Sequence, residues 1–275
     1  MGSMNELIFD LKDVSYAYPD GQPGVDCLSL SIARGERVAL AGANASGKST
    51  LLCLLDGLYF ATFGEVRAFG EMLTEKSLSG GEFARNFRRQ VGFMFQNSDA
   101  QLFCSTVEEE LAFGPLQLGL SDAEVREAIA RNLDRCGLNH IRSRPPYSLS
   151  IGEKKRVALA SVLATDPSVL LLDEPTAGLD PRSQVWLIDL LTGLAAEGKT
   201  LITATHDLHA IGHLADRVIV LNDDHGVSAS GPVIEIFSNH ELLVSANLIH
   251  AHAHAHGQVS HVHEHLHSGE HEHIH

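Results

Sequence analysis

The stretch GANASGKST (42–50) constrains the fold of this 275-residue chain more than any other. It satisfies G-x-x-x-x-G-K-[ST] and stands between two predicted elements. Before it runs the apolar ERVALAG (36–42), a strand ending in glycine. After it comes KSTLLCLLDGL, where Leu51, Leu52, Leu54, Leu55 and Leu58 follow helical spacing. In a strand–loop–helix junction of this kind, glycines let the backbone wrap closely. Successive N–H groups and the helix N-terminus then face phosphate oxygens. Gly42, Asn44, Ala45, Ser46, Gly47, Lys48, Ser49 and Thr50 are the candidate nucleotide contacts. Lys48 reaches for the β and γ phosphates, and the Ser49 hydroxyl is a Mg²⁺ ligand.

Downstream, strand and helix alternate. SVLLLDEP is a buried strand that closes in Asp173 and Glu174. The helix PRSQVWLIDLLTGLAAEG, the strand KTLITATH, a short helix and the strand DRVIVLNDD follow. This alternation predicts an α/β fold with a parallel sheet covered on both faces, its ligand beyond the carboxyl ends of the strands. Asp173 is placed to hold Mg²⁺ and Glu174 to polarise an attacking water. The remaining composition excludes more than it assigns. The net charge of −15, from 35 acidic and 20 basic side chains, argues against a nucleic-acid partner, which needs a cationic face. No apolar run is long enough to span a bilayer, and the start MGSMNELIFDLKDV lacks the pattern of a secretory signal. Four scattered cysteines without a Cys-x-x-Cys pair argue against a disulfide framework.

With these motifs in this order, residues 5–240 resemble the nucleotide-binding cassette of ATP-binding-cassette (ABC) transporters. The resemblance implies a P-loop NTPase fold with a RecA-like, mostly parallel core sheet, an antiparallel β subdomain and a helical subdomain at about 97–166. It also implies roles for particular residues. Tyr18 resembles the aromatic that stacks on adenine. Gln96 resembles the glutamine that senses Mg²⁺ and water. AGLD (177–180), ending in Asp180, resembles the D-loop, and His206 in TATHD the histidine that contacts the γ-phosphate. The implied activity is ATP hydrolysis with Mg²⁺ at the interface of a head-to-tail pair of cassettes, a homodimer being favoured.

Two stretches compete for the family's signature loop, SLSGGEFARNFRR (77–89) and SLSIGEKKRVALA (148–160). The loop must open a helix, so that its dipole faces the γ-phosphate across the dimer. It must also lie between Gln96 and the Asp173 strand. Only LSIGE (149–153) satisfies both, with Ser150 and Gly152 as the phosphate-contacting positions. The earlier copy is expected to be a surface turn leading into a basic helix. Ile151 and Glu153 depart from the family's Leu-Ser-Gly-Gly-Gln, and Glu153 adds negative charge near the nucleotide.

Two features bear on cargo. QNSDAQLFCSTVEEELAFGPLQLGL (96–120) resembles the segment after the glutamine loop in energy-coupling-factor ATPases. There it docks a transmembrane coupling subunit, with Leu102 and Phe103 expected to be exposed. The last 26 residues hold 11 of the 17 histidines. They are His250, His252, His254, His256, His261, His263, His265, His267, His271, His273 and His275, mostly at alternate positions. Imidazole suits Co²⁺, Ni²⁺ and Zn²⁺, so 241–275 is expected to be a linker and a disordered or metal-ordered tail outside the cassette (1–240). Together the two features point to cobalt or nickel import at the cytoplasmic face of the cell membrane. The chain would be peripheral there, alongside a coupling subunit and a small metal-capture membrane subunit. The alternatives are a soluble, non-transport ABC ATPase and a metal-storage or sensing protein acting through its tail.

Overall fold

The computed structural model describes residues 6–256 and 259–266, with the backbone alone described beyond Ile249. Two long strands, β1 (Leu7–Ala17) and β2 (Pro23–Ala33), turn back on each other through a short loop and pair antiparallel, Leu11 opposite Leu30 and Val14 opposite Leu28. The central sheet begins with β3 (Arg37–Ala41), where four of five residues are buried. Helix α1 (Lys48–Leu55) follows the glycine loop. Strands β4 (Phe63–Ala68) and β5 (Glu71–Met72) return to the first sheet, giving the order β2-β1-β4-β5.

The stretch 77–89 then forms the end of α2 (Glu75–Leu78) and most of α3 (Gly81–Gln90). Leu78, Ala84 and Phe87 pack into the core beside the antiparallel sheet. Ser79 and Gly80 are exposed between the two helices. A surface turn before a basic helix is therefore what this stretch makes.

Strand β6 (Val91–Met94) leads into a helical section. It comprises α4 (Ser98–Gln101), α5 (Val107–Gln117), α6 (Asp122–Arg135) and α7 (Ile151–Leu163). The alternation then resumes with β7 (Val169–Asp173), α8 (Pro181–Ala196), β8 (Thr200–Ala204), α9 (Leu208–Leu214), β9 (Arg217–Leu221) and β10 (Val227–Pro232). The second sheet has the order β10-β9-β3-β8-β7-β6. Its pairings are parallel apart from the edge pair β10–β9. Every residue of β7 and β8 is buried, as strands covered by helices on both faces require. One face packs with the antiparallel sheet and α1 around Leu40, Leu51 and Leu171. The opposite face packs against the helical section around Leu111, Leu159 and Leu170.

The packed chain extends beyond the boundary expected at residue 240. Helices α10 (Val233–Ser238) and α11 (His240–Ser245) lead to Ala246, Leu248 and Ile249. These three and Leu243 are buried in a third core cluster with Ile211, Val218 and Val220. The linker reading of 241–249 is therefore corrected: its apolar side chains finish the domain. The histidine segment also differs from an irregular tail. Strands β11 (Ile249–His256) and β12 (Val259–Leu266) pair antiparallel, with His250 opposite His265, His252 opposite His263 and His254 opposite His261. His267, His271, His273 and His275 lie outside the described residues.

Leu248 is 1 % exposed, so Leu248→Ala should cost about 2–5 kcal/mol in urea unfolding. Removal of residues 250–275 should change stability by less than about 1 kcal/mol, because residues up to Ile249 already fill the third core cluster.

Candidate functional site

Parallel pairing brings the carboxyl ends of β3, β7 and β8 to one edge, with Leu40 opposite Ala204 and Ala204 opposite Asp173. The glycine loop crosses this edge. Gly47 has φ 100° and caps α1. A Cβ at Gly47 would lie 2.3 Å from the Gly24 carbonyl oxygen, and one at Gly42 would lie 2.6 Å from that of Leu221. Glycine is required at both positions by close backbone approach. A cavity of about 720 Å³ opens beside the loop, lined by Asn44, Ala45, Gly47, Lys48, Ser49 and Thr50. Its far wall is Gln96, Asp173, Glu174 and His206. Residues separated by more than 150 positions thus meet around one space, of a size suited to a nucleotide.

The charges here are buried. Lys48 is 6 % exposed, and its Nζ donates to the carbonyl oxygens of Gly42 (2.9 Å) and Ala43 (2.7 Å). Burial lowers its pKa, against the pull of Glu174 and Asp173. Asp173 is raised by burial, although the Ser49 hydroxyl hydrogen-bonds it and favours its charged form. Its Oδ1 and the Ser46 Oγ are buried without a hydrogen-bond partner among the described residues. A buried carboxylate oxygen left unpartnered beside a serine hydroxyl fits a hard, oxygen-seeking cation. Asp173, Ser49 and the nearby Gln96 would hold Mg²⁺, which supplies neutralisation of phosphate charge.

Glu174 is fixed from four sides. Its Oε1 lies 2.7 Å from His206 Nδ1, and its Oε2 accepts from Thr205 Oγ1 at 3.0 Å. Its N–H donates to Ala204 O, and its carbonyl accepts from Ala177 N–H and from Lys155 Nζ. Its φ of 44° is left-handed, an uncommon conformation for a residue with a side chain. It persists only where surrounding contacts determine it.

At the other end of the cavity, the Tyr18 hydroxyl lies 2.6 Å from Thr50 Oγ1. Its ring packs edge-on against Tyr16 and Tyr59, which stack on each other at 4.9 Å. Gln22, Pro23, Gly24 and His225 also line this end. The sequence reading missed His225, Thr205 and Lys155. Thr205 adjoins His206 and was within reach of that motif, whereas His225 and Lys155 arrive through tertiary packing alone.

Ser150, Gly152 and Asp180 do not line the cavity. Ser150 is exposed and caps α7, while Asp180 caps α8 by accepting from the N–H groups of Arg182 and Ser183. The Glu153 carboxylate accepts from both the N–H and the hydroxyl of Ser150, each at 2.9 Å. Its pKa is lowered by those bonds. The charge introduced by Glu153 is thus turned back onto its own helix N-terminus in a reciprocal cap. Leu102 departs from expectation: it is half-buried against the second core cluster, while Phe103 is 66 % exposed.

Fold and site together define a P-loop nucleotide-binding protein whose phosphate loop faces two acids at the end of a neighbouring strand. The chain belongs to the ABC transporter family, as an ATPase subunit: the family's model, "ABC transporter", matches residues 25–177. The chain is 49 % identical to the nickel import ATP-binding protein NikO of Rhodobacter capsulatus over 88 % of this chain and 95 % of that one. It is 44 % identical to the energy-coupling factor transporter ATP-binding protein EcfA of Methanothermobacter thermautotrophicus, over 88 % and 76 %. The solved structure of cbiO1 from Clostridium perfringens, part of the ABC transporter complex cbiONQ, superposes with a TM-score of 0.74. Identity there is 34 %, over 88 % of this chain and 95 % of that one.

Gly47→Ala should weaken ATP binding at least about tenfold by isothermal titration, since the added Cβ collides with the Gly24 carbonyl and distorts the loop. Unchanged affinity would contradict the tight cradle.

Proposed function

We propose that this chain energises an energy-coupling-factor importer of a transition-metal ion, nickel or cobalt, and hydrolyses ATP between two copies of itself. The observation that carries the reading is the split of the expected site residues. The glycine loop, Asp173, Glu174, Gln96 and His206 surround one cavity, while Ser150 stands outside it at an exposed helix start. Family members act as dimers with transmembrane subunits, and a second copy would bring its Ser150 and Gly152 to the open side.

In this reading the glycine-loop amides and Lys48 bind the phosphates, with Lys48 exchanging loop carbonyls for phosphate oxygens. Tyr18 stacks on the adenine. Glu174 accepts a proton from the attacking water, oriented by Thr205 and His206. His206 and Gln96 bracket the γ-phosphate, and Asp180 lies at the dimer seam. The partner's α7 N-terminus supplies fixed positive dipole opposite the charge that develops.

Phe103, Phe113 and Leu116 support membrane docking. They are 66 %, 43 % and 53 % exposed, and the two phenylalanine rings meet edge to face at 4.8 Å. An apolar group of this kind on the helical section suits a coupling helix of a transmembrane subunit. No helix among the described residues is long and apolar enough to cross a membrane, which suits peripheral attachment. Nickel as cargo is supported by the likeness to NikO, a nickel import ATP-binding protein, and nickel or cobalt alike by the histidine segment.

That segment is proposed to bind Co²⁺, Ni²⁺ or Zn²⁺ on the side of the ATPase. Its backbone register sets His250, His252 and His254 opposite His265, His263 and His261. Among the residues whose side chains are described, no group of metal-binding side chains occurs.

Glu174→Gln should slow hydrolysis about 10²- to 10⁴-fold while ATP still binds, because a general base is removed. Hydrolysis at the native rate would overturn that role. The same variant, loaded with ATP and purified from native membranes, should bring a coupling membrane protein and a small metal-capture protein. Recovery of ribosomes, DNA or nothing would contradict the importer. Removing 250–275 should abolish Ni²⁺ binding by equilibrium dialysis and leave basal hydrolysis intact. In the full chain, bound Ni²⁺ should be released below about pH 6, as imidazoles take up protons in place of metal. Retained binding without the segment would contradict its role.

A further inference from the structure

Lys155 is a lysine where burial is costly. It is 6 % exposed and lies within α7, the helix that Ser150 opens. Its Nζ donates to the Glu174 carbonyl at 2.8 Å and to the Pro175 carbonyl at 3.1 Å. Among the described residues no carboxylate oxygen bonds it; burial depresses the ammonium to about 8, while Glu174 and Asp173 pull it upward. A buried ammonium costs several kcal/mol unless it is well satisfied. An apolar side chain would have packed here at less cost, so the position calls for an explanation.

The Glu174 carbonyl belongs to the one peptide whose geometry matters most to the site. That residue holds a left-handed φ of 44°, and its own carboxylate points to Thr205 and His206. Pinning the carbonyl restrains ψ at Glu174 and so helps hold the left-handed backbone from which the side chain reaches Thr205 and His206. Ser150 and Lys155 are five positions apart on a continuous helix, about 7.5 Å along its axis. Between them α7 is bonded as a single rigid element.

We propose that Lys155 is a positioning residue, a strut through which α7 sets the orientation of Glu174. A shift at the signature end of the helix, where a partner's nucleotide binds, is thereby felt at the protomer's own water-polarising carboxylate. The proposal rests on the reading of Glu174 as that carboxylate and of Ser150 as a contact across the dimer. It gives the two nucleotide sites a mechanical link within each protomer, independent of the nucleotide itself.

The test compares Lys155→Met, which fills the space without a donor, with Lys155→Gln, which keeps an N–H donor. Steady-state ATP hydrolysis, ATP affinity and thermal unfolding are measured for each, with wild type and Glu174→Gln in the same assay. The strut predicts that Lys155→Met lowers kcat at least about tenfold. ATP affinity should stay within about threefold, unfolding should remain cooperative, and Lys155→Gln should restore most of kcat. Because both residues act through one helix, Ser150→Ala should cost a smaller factor in the Lys155→Met background than in wild type.

Native kcat in Lys155→Met, beside an inactive Glu174→Gln, would overturn the strut and leave the role of Glu174 standing. Equal hydrolysis by Glu174→Gln and wild type would overturn the role of Glu174 and the strut with it. Parallel loss of ATP binding and kcat in both Lys155 variants would show a merely structural lysine. Fully multiplicative effects of Ser150→Ala and Lys155→Met would remove the link between the two sites.

Discussion

Four buried charges at the carboxyl edge of one sheet govern this molecule: Lys48, Lys155, Asp173 and Glu174, each 6 % exposed. Such groups are tolerated only when hydrogen-bonded or paired, and each is held differently. Lys48 is bound by loop carbonyls, Lys155 by the carbonyls of residues 174 and 175, Glu174 by Thr205 and His206, and Asp173 by Ser49. Two cations and two anions balance formally. A triphosphate brings further negative charge, which the cluster alone does not offset. That imbalance would be the physical reason for the divalent cation proposed at Asp173 and for the positive helix end that a second copy would bring to the open side.

The departures from the family's signature become intelligible in this light. Glu153 places a carboxylate on the helix that, in the proposed dimer, would present its positive dipole to phosphate. The carboxylate bonds the Ser150 N–H and hydroxyl and lies 3.9 Å from Arg144. An acid in the first turn stabilises the helix, and Arg144 offsets part of its charge. To make the phosphate contact proposed for it, the Ser150 hydroxyl would exchange the Glu153 oxygen for a phosphate oxygen. This exchange is a local cost that the usual glutamine would reduce.

Much of this was legible in the sequence, for physical reasons that differ by element. The glycine loop could be read because one short segment carries its whole geometry. The Asp173 strand could be read because full burial leaves an unbroken apolar run. The choice between 77–89 and 148–160 required order along the chain rather than letters, since the earlier copy matches the family better and packs elsewhere. Lys155 and His225 were invisible because no motif marks them: Lys155 meets the Glu174 and Pro175 carbonyls, and His225 the cavity, only through packing. The core residues just past 240 were hidden by the change in composition: the histidines drew the boundary forward, although Leu243 and Leu248 belong to the core. Alternating histidines suggested extended chain, but their pairing across a hairpin depends on a turn that composition does not specify.

The central claim is that one copy holds the nucleotide while a second completes the site through Ser150. Sedimentation equilibrium of the Glu174→Gln protein with saturating MgATP tests it most directly. The account predicts twice the monomer mass with ATP, the monomer mass without it, and weakened pairing when Ser150→Ala is added. A monomer at saturating ATP, or a dimer indifferent to Ser150→Ala, would contradict it.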